Sequence, residues 1–451
     1  MALGRRGEKQ REMWVAAPEL PRSPGHRFYE KLNGLLAEAE FDRRIEELCA
    51  PFYDEEAGRP GIAPGVYFRM LLIGYFEGLS AQRAIAWKCS DSLSVREFLG
   101  LQVSEAAPDH SSLTRIRKRL PLEVHAQAFT IMLEIARAKG VLKGKTIAVD
   151  STTLEANAAM KSMVNRVSGE DWMAYLRRLA KAEGLEDPTD EELRRFDRRR
   201  KGKKVSNEEW KSATDSDARI AKMKDGRTHF AYKAENAVDV ESGIIVTAEI
   251  YAADDADTGT ILMTVESARE QLQAVDSPHQ VEEVLGDKGY HKAESLAVLR
   301  EVFEVRTYIP EPKRTGRRRW TDKDPGQQAA VYANRRRCRS NRGRALARLR
   351  SEFAERSFAH TCETGGARRT WLRGLTNVAK RYWITIGAHN LGAVMRTLFG
   401  MGTPRGLQGA VATLALLLFA LWRHLTAAHS RLNGSHSTQP PAEPWGVSLA
   451  A

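Results

Sequence analysis

Two aspartates close short β-rich runs in the middle of this chain. KTIAVD ends in Asp150 and VEEVLGD ends in Asp287, while the later helical stretch RLRSEFAERSF carries Glu352 and Glu355. Carboxylates at strand ends with a third on a later helix suit phosphodiester transfer. That reaction needs a nucleophile activated, a leaving oxygen stabilised and charge on phosphorus neutralised, and two divalent cations roughly 3.5–4 Å apart do all three. Mg²⁺ is a hard ion that prefers carboxylate and phosphate oxygens, so three Asp/Glu side chains are suitable ligands. Strand-end aspartates also cap turns and helices, and the pair alone leaves that structural role open. His229, His360 and Cys362 lack the spacing of a soft-metal site.

The charge balance points to the same class of substrate. The 451 residues hold 70 Lys+Arg against 58 Asp+Glu, a formal net charge of +12 that suits a polyanionic partner. Residues 313–350 alone contain 14 Lys/Arg and two Asp, a local +12 that includes Arg335, Arg336 and Arg337. The helix that follows, 345–358, sets Leu346, Leu349 and Phe353 on one side, so this cationic surface leads into packed structure and fits phosphate-backbone contact. A second cationic element is PDHSSLTRIRKRL, 108–120. Asp109 or Ser111 can cap it, Leu113, Ile116 and Leu120 form its apolar stripe, and Arg115, Arg117, Lys118 and Arg119 occupy much of the rest. It reads either as a groove-reading helix or as a solvated face.

The elements that must position these groups fall into two textures. Residues 23–121 read as helical: Phe28, Leu32, Leu35 and Leu36 have helical spacing, 41–48 repeats it, GRPGIAP (58–64) breaks it, and YFRMLLIGYF (67–76) begins a strongly apolar helix. Ser80 is placed to cap the next helix and Ser94 precedes another. From residue 141 strands alternate with helices. The strand candidates are 145–150, 229–240, 243–250, 281–287 and 305–310, with helical periodicity at 258–272 and 292–302. That order predicts a mixed α/β sheet, with ligands beyond the strand ends. Between the first two strands lie the 78 residues 151–228, too many for a structureless loop, so an inserted subdomain or partly ordered arm is expected there.

Other classes are excluded by composition. Four cysteines without a CxxC pair fit neither a zinc ribbon nor a disulfide scaffold. The charged start, Met1 to Lys9, has no apolar run, so no secretory leader is expected. The longest apolar stretch, VATLALLLFALW at 411–422, has 12 residues where a membrane helix needs roughly 20. The expectation is a protein of a reducing, cytoplasmic compartment, not one that acts at a membrane.

The chain resembles the bacterial insertion-sequence transposases of the DDE type. The resemblance runs from roughly Gly25 to Arg405, through GRPGIAPGVYFRMLLIGYFEGLSAQRAI (58–85), PDHSSLTRIRKRLP (108–121) and IAVDSTTLEANAAMKSM (147–163). It continues in DARIAKMKDGRTHFAYKAENAVD (217–239), LGDKGYH (285–291), ERSFAH (355–360), LRGLTNVAKR (372–381) and AHNLGAVMR (388–396). It implies a ribonuclease-H-like mixed sheet with flanking helices, preceded by an all-helical DNA-recognition and assembly domain. The boundaries expected are 1–140, 141–400 with the insertion and basic segment inside it, and 401–451 for an apolar helix and tail. The family's first aspartate matches Asp150 in VDST, its second matches Asp287 in DKGY, and its glutamate matches Glu355 in ERSF, with Glu352 as the rival. These three would hold two Mg²⁺, Mn²⁺ substituting. Lys288, Tyr290 and His291 beside Asp287, Arg356 beside Glu355, and Lys233 in AYKAENAVD are further candidates for DNA contact, each with an ordinary salt-bridge or core role as the alternative. Gly289 would allow close backbone approach, and Phe358 would pack the glutamate helix. The substrates implied are double-stranded DNA, terminal inverted repeats and target DNA, handled by a homo-oligomer. A nuclease without strand transfer and an inactive, transposase-derived DNA-binding protein are the competing readings.

Overall fold

The structure is a computed structural model and describes residues 20, 24–54, 61–201, 205–223, 226–313, 320–321 and 324–404. The apolar helix expected after residue 405, and part of the basic block at 314–319 and 322–323, lie outside the described residues.

Among the described residues seven α-helices come first: α1 (Pro24–Glu38), α2 (Phe41–Cys49), α3 (Pro64–Phe76), α4 (Gln82–Asp91), α5 (Leu93–Phe98), α6 (His110–Arg119) and α7 (Leu122–Ala138). Pro64 begins α3, where its missing N–H costs nothing. This helix is apolar on nearly every side and is buried accordingly; its one interior cation, Arg69, is held by Asp42, Asn33 and the Phe98 carbonyl. Asp109 caps α6 by accepting from the Ser111 N–H at 2.8 Å. Ser80 does not cap α4: Ala81 holds that position, with no side-chain bond to the helix.

The sheet follows. Its strands are β1 (Thr146–Glu155), β4 (Arg219–Lys222), β5 (Thr228–Asp239), β6 (Ile245–Ala252), β7 (Glu283–Leu285) and β8 (Arg306–Tyr308), while β2 (Met163–Asn165) and β3 (Trp210–Ser212) pair only with each other. Across the six-stranded sheet β5 pairs antiparallel with β1 on one side and with β4 and β6 on the other, and β1, β7 and β8 run parallel. The remaining helices are α8 (Trp172–Ala182), α9 (Asp190–Arg199), α10 (Asp257–Ala274), α11 (Ala293–Glu301), α12 (Pro325–Arg339), α13 (Asn341–Phe358) and α14 (Leu375–Phe399).

Side chains alternate across a strand, and this assigns the faces. Ser151 and Lys233 bond to Asp257 of α10, whereas Asn236, the register partner of Asp150, bonds to Ser357 of α13. Helices α10 and α13 therefore cover opposite faces. Ala148 and Leu285 pack with Leu346 and Ala354 of α13, and Leu349 and Phe353 lie against them. Helix α14 connects the sheet to the helical region. The Asn390 amide donates to the Ile245 carbonyl and accepts from its N–H, and Trp383 meets Phe129 of α7 edge to face at 4.9 Å.

The insertion has its own small core: Leu176, Ala180 and Leu193, walled by Trp172, Tyr175 and Phe196. The first strand runs longer than its sequence pattern suggests. β1 does not end at Asp150 but continues to Glu155, because the polar run Ser151–Thr153 stays paired with β5. No helix among the described residues is long and apolar enough to cross a membrane.

Candidate active site

Register carries the two aspartates toward the same end of neighbouring parallel strands. The parallel pairing of β1 with β7 ends at Ala148 and Leu285, and Asp150 and Asp287 each follow two residues later. β7 stops there while β1 runs on, so Asp150 stands on a stretch of β1 whose β7 side is no longer paired. Each carboxylate is oriented by a nearby amide. Asp150 Oδ1 accepts from the Ser151 N–H at 2.9 Å, and Asp287 Oδ1 accepts from the Gly289 N–H at 2.7 Å. Position 289 cannot carry a side chain without displacement: a β-carbon there would lie 2.9 Å from Asp287 Oδ1 and 3.0 Å from Asp257 Oδ2.

Two residues of this neighbourhood, Asp257 and Glu235, escape sequence reasoning. Asp257 opens α10, and its Oδ1 accepts from Ser151 Oγ at 3.1 Å and from Lys233 Nζ at 3.2 Å. The Lys233 ammonium also donates to the Asp255 carbonyl at 2.9 Å and to Thr260 Oγ1 at 3.1 Å. All three of its hydrogens are thus occupied, and at 5% exposure it is an internal brace with no donor left for a phosphate. Glu235, fully buried, takes hydroxyl hydrogens from Thr260, Thr264 and Tyr290 and lies 3.7 Å from Lys233. Burial raises its pKa, against the pull of those donors and of Lys233. The same burial, with Glu235 and Asp257 nearby, raises that of Tyr290. The signal that could have found the pair is Lys233 and Glu235 two apart on one face of a strand, flanked by Phe230, Ala231, Tyr232, Ala234, Ala237 and Val238, the pattern of a buried ion pair.

Helix α13 turns Ala354, Ser357 and Phe358 inward, which leaves Glu355 exposed, its Oε1 accepting from Ser351 Oγ at 3.1 Å. Glu352 is exposed too and pairs with Arg356 at 2.9 Å. From α13 Arg350 reaches Asp150, its Nη1 3.7 Å from Asp150 Oδ2. Among the described residues no three His, Cys, Asp or Glu side chains stand together as a metal-binding group.

The other cations divide into exposed and engaged. Arg115, Lys118 and Arg119 are exposed on α6, with Arg119 over the Tyr53 ring, whereas Arg117 turns half-buried toward α14. On α12 only Arg336 of the consecutive three is exposed. Arg335 is clamped by both oxygens of Glu311, and Arg337 donates to the carbonyl and hydroxyl of Thr307 on β8. Lys288 is exposed and His291 half-buried.

Comparison with known families agrees with this arrangement. Residues 19–119 match the family model described as "Transposase domain (DUF772)", and residues 143–391, more than half of the chain, match "Transposase DDE domain". No curated protein and no solved structure matches the chain. The second match spans the sheet, both aspartates and α13. The chain belongs to the transposase DDE domain family and is a transposase, an enzyme that acts on DNA.

Proposed function

We propose that this transposase cleaves DNA at the ends of a mobile element and joins those ends to target DNA, using divalent metal held by Asp150, Asp287 and Glu355. The observation that carries the reading is the register of β1 with its parallel neighbour β7, which carries Asp150 and, two residues past β7, Asp287 toward the same end of the sheet within the matched DDE domain. The sheet order β6-β5-β1-β7-β8, antiparallel only at β5, supports a ribonuclease-H-like description.

The donor set suits Mg²⁺ chemically: the three side chains offer hard carboxylate oxygens and no sulfur or imidazole. When bound, the cations supply the Lewis acidity that activates the attacking oxygen and steadies the leaving one. The chain's own groups do the rest. The Ser151 and Gly289 amides fix the planes of the two aspartates, and Asp257, braced by Lys233, holds Ser151 from the opposite face. Arg350 neutralises Asp150 and is placed to move onto a phosphate when DNA arrives. Glu355 is carried by α13, the helix that packs on the Asp150 face of the sheet.

Residues 1–140 are assigned to recognition of terminal inverted repeats, with Arg115, Lys118 and Arg119 on phosphates. Arg336 and Lys288 are assigned to the flanking duplex, and pairing of two ends requires a homo-oligomer. Single-turnover cleavage of a labelled element-end duplex tests the centre. Asp150→Asn and Asp287→Asn should bind DNA yet fail to nick it; retained cleavage in both removes the proposed site. Loss in Glu352→Gln with a normal rate in Glu355→Gln would move the third ligand to Glu352. A strand-transfer step in the same assay separates a transposase from a nuclease.

A further inference from the structure

The cavity of about 450 Å³ where α3, α4, α6 and α14 meet is large enough for a small ligand and is cationic. Arg83, Arg117, Lys380 and Arg381 line it, and none of its described lining residues is acidic. Lys380 is held in place by donating to the carbonyls of Arg117 and Leu120 at 3.1 and 2.7 Å. The two guanidiniums are not so provided for. Arg117 Nε is buried without a hydrogen-bond partner, and the charged neighbour acting on Arg381 is Arg117 itself. Desolvation, then this like charge, pulls Arg381 down to about 10.

Burying cations without counter-charge is costly, and a fold keeps them there when something else supplies the anion. Guanidinium forks match the oxygens of a phosphate in pairs. Tyr75 and Trp371 share the lining, and aromatic faces are what bases stack on. α6 points Arg117 into the cavity while Arg115, Lys118 and Arg119 stand exposed on the same helix. His110, Thr114 and Arg117 line the cavity from one side of α6, and the exposed cations lie around the helix from it.

We propose that this cavity receives one unpaired nucleotide of a DNA strand, its phosphate held between Arg117 and Arg381 and its base against the aromatic lining. The inference rests on the DNA reading above for the source of that nucleotide.

The test uses full-length protein at fixed salt, since phosphate binding depends steeply on it. Thermal melting and calorimetric titration are run with inorganic phosphate, thymidine, dTMP, a fully paired duplex and the same duplex with one unpaired thymidine. The wild type should bind dTMP at least tenfold more tightly than thymidine, and the unpaired duplex more tightly than the paired one. Arg381→Met and Arg117→Met should each lose both preferences, keep paired-duplex binding within a few fold, and melt higher without ligand because one of several uncompensated, half-buried cations is gone. Equal binding of dTMP and thymidine, or preferences that survive both substitutions, overturns the site. So does binding of inorganic phosphate alone without discrimination among the nucleotides. Arginine-dependent dTMP binding without preference for the unpaired duplex overturns the DNA source. Failure of the wild type to bind any duplex sinks the DNA reading itself and shows in a separate titration.

Discussion

The brace beneath the active site gives the sharpest quantitative test. Lys233→Met keeps the length of the side chain and removes an ammonium that is 5% exposed and bonded to the Asp255 carbonyl, Asp257 and Thr260. Breaking a buried pair by deleting one partner costs about 3–5 kcal/mol, since the other charge stays behind uncompensated. Glu235 retains three hydroxyl donors, which places the expectation at the lower end, about 3 kcal/mol at pH 8. The pH dependence follows from sign. The folded-state pKa of Glu235 already lies above its ordinary value through burial, so the folded protein takes up a proton more readily than the unfolded chain. Losing Lys233 raises that pKa further. The deficit of Lys233→Met should therefore be largest at high pH and shrink as pH falls through the raised value. Adding Glu235→Gln removes the stranded charge and should recover about 2 kcal/mol, a coupling typical of touching residues. Urea denaturation of the four proteins of this cycle, at pH 8 and pH 5, measures both effects. Additive costs within about 0.5 kcal/mol and a deficit unchanged between the two pH values would refute the buried-pair account.

Four further outcomes are expected. Mn²⁺ should support cleavage in place of Mg²⁺, while Ca²⁺, with its larger and looser shell, should permit DNA binding with little cleavage in the same single-turnover assay. Replacing Arg115, Lys118 and Arg119 with Gln should lower the slope of log affinity against log salt by about one unit for each phosphate that the protein ceases to neutralise, read by fluorescence anisotropy. Arg336→Gln should weaken specific and random duplex by similar factors, whereas Arg335→Gln and Arg337→Gln should lower the melting temperature first, because Glu311 and Thr307 hold them. Burial holds His125 and His389 down at about 4, so each stabilises the fold fully above about pH 6.5 and loses that contribution as pH falls toward 4, about 2 kcal/mol each by pH 5; His125→Gln should flatten the acid limb of the stability curve.

Local pattern made much of this architecture readable. Phe28, Leu32, Leu35 and Leu36 do form the buried side of α1, and the periodicity at 258–272 is α10, with its ends shifted by a residue or two. Capping by Asp109 was legible because the bond spans two residues. What escaped depends on partners far along the chain. Ser151–Thr153 looks like a loop until β5, some eighty residues later, pairs with it. Arg335 looks exposed in a run of three arginines, and its clamp Glu311 lies 24 residues away. Lys233 stays open between DNA contact and an ordinary salt bridge or core role until α10 folds over it. Asp257 carried only the signal of an acidic residue in a helix's first turn, which the helix dipole favours anywhere.

The way the insertion leaves and rejoins the sheet bears on how such a protein can change. β1 stays paired antiparallel with β5 to its own last residue, Glu155 facing Ala231, and the Ala156 N–H closes the ladder on the Phe230 carbonyl. The chain therefore departs and returns at nearly one point, as in a hairpin whose loop has been lengthened. A turn of about two to five residues can span such a gap. The later part of the loop is less dispensable: Asp215 accepts from the Tyr232 hydroxyl and the Gly374 N–H, and Asp217 from the Leu375 N–H, which anchors the start of α14. Changes in the outer part of this excursion, around the small core of Leu176, Ala180 and Leu193, would therefore leave the β1–β5 and β1–β7 register untouched.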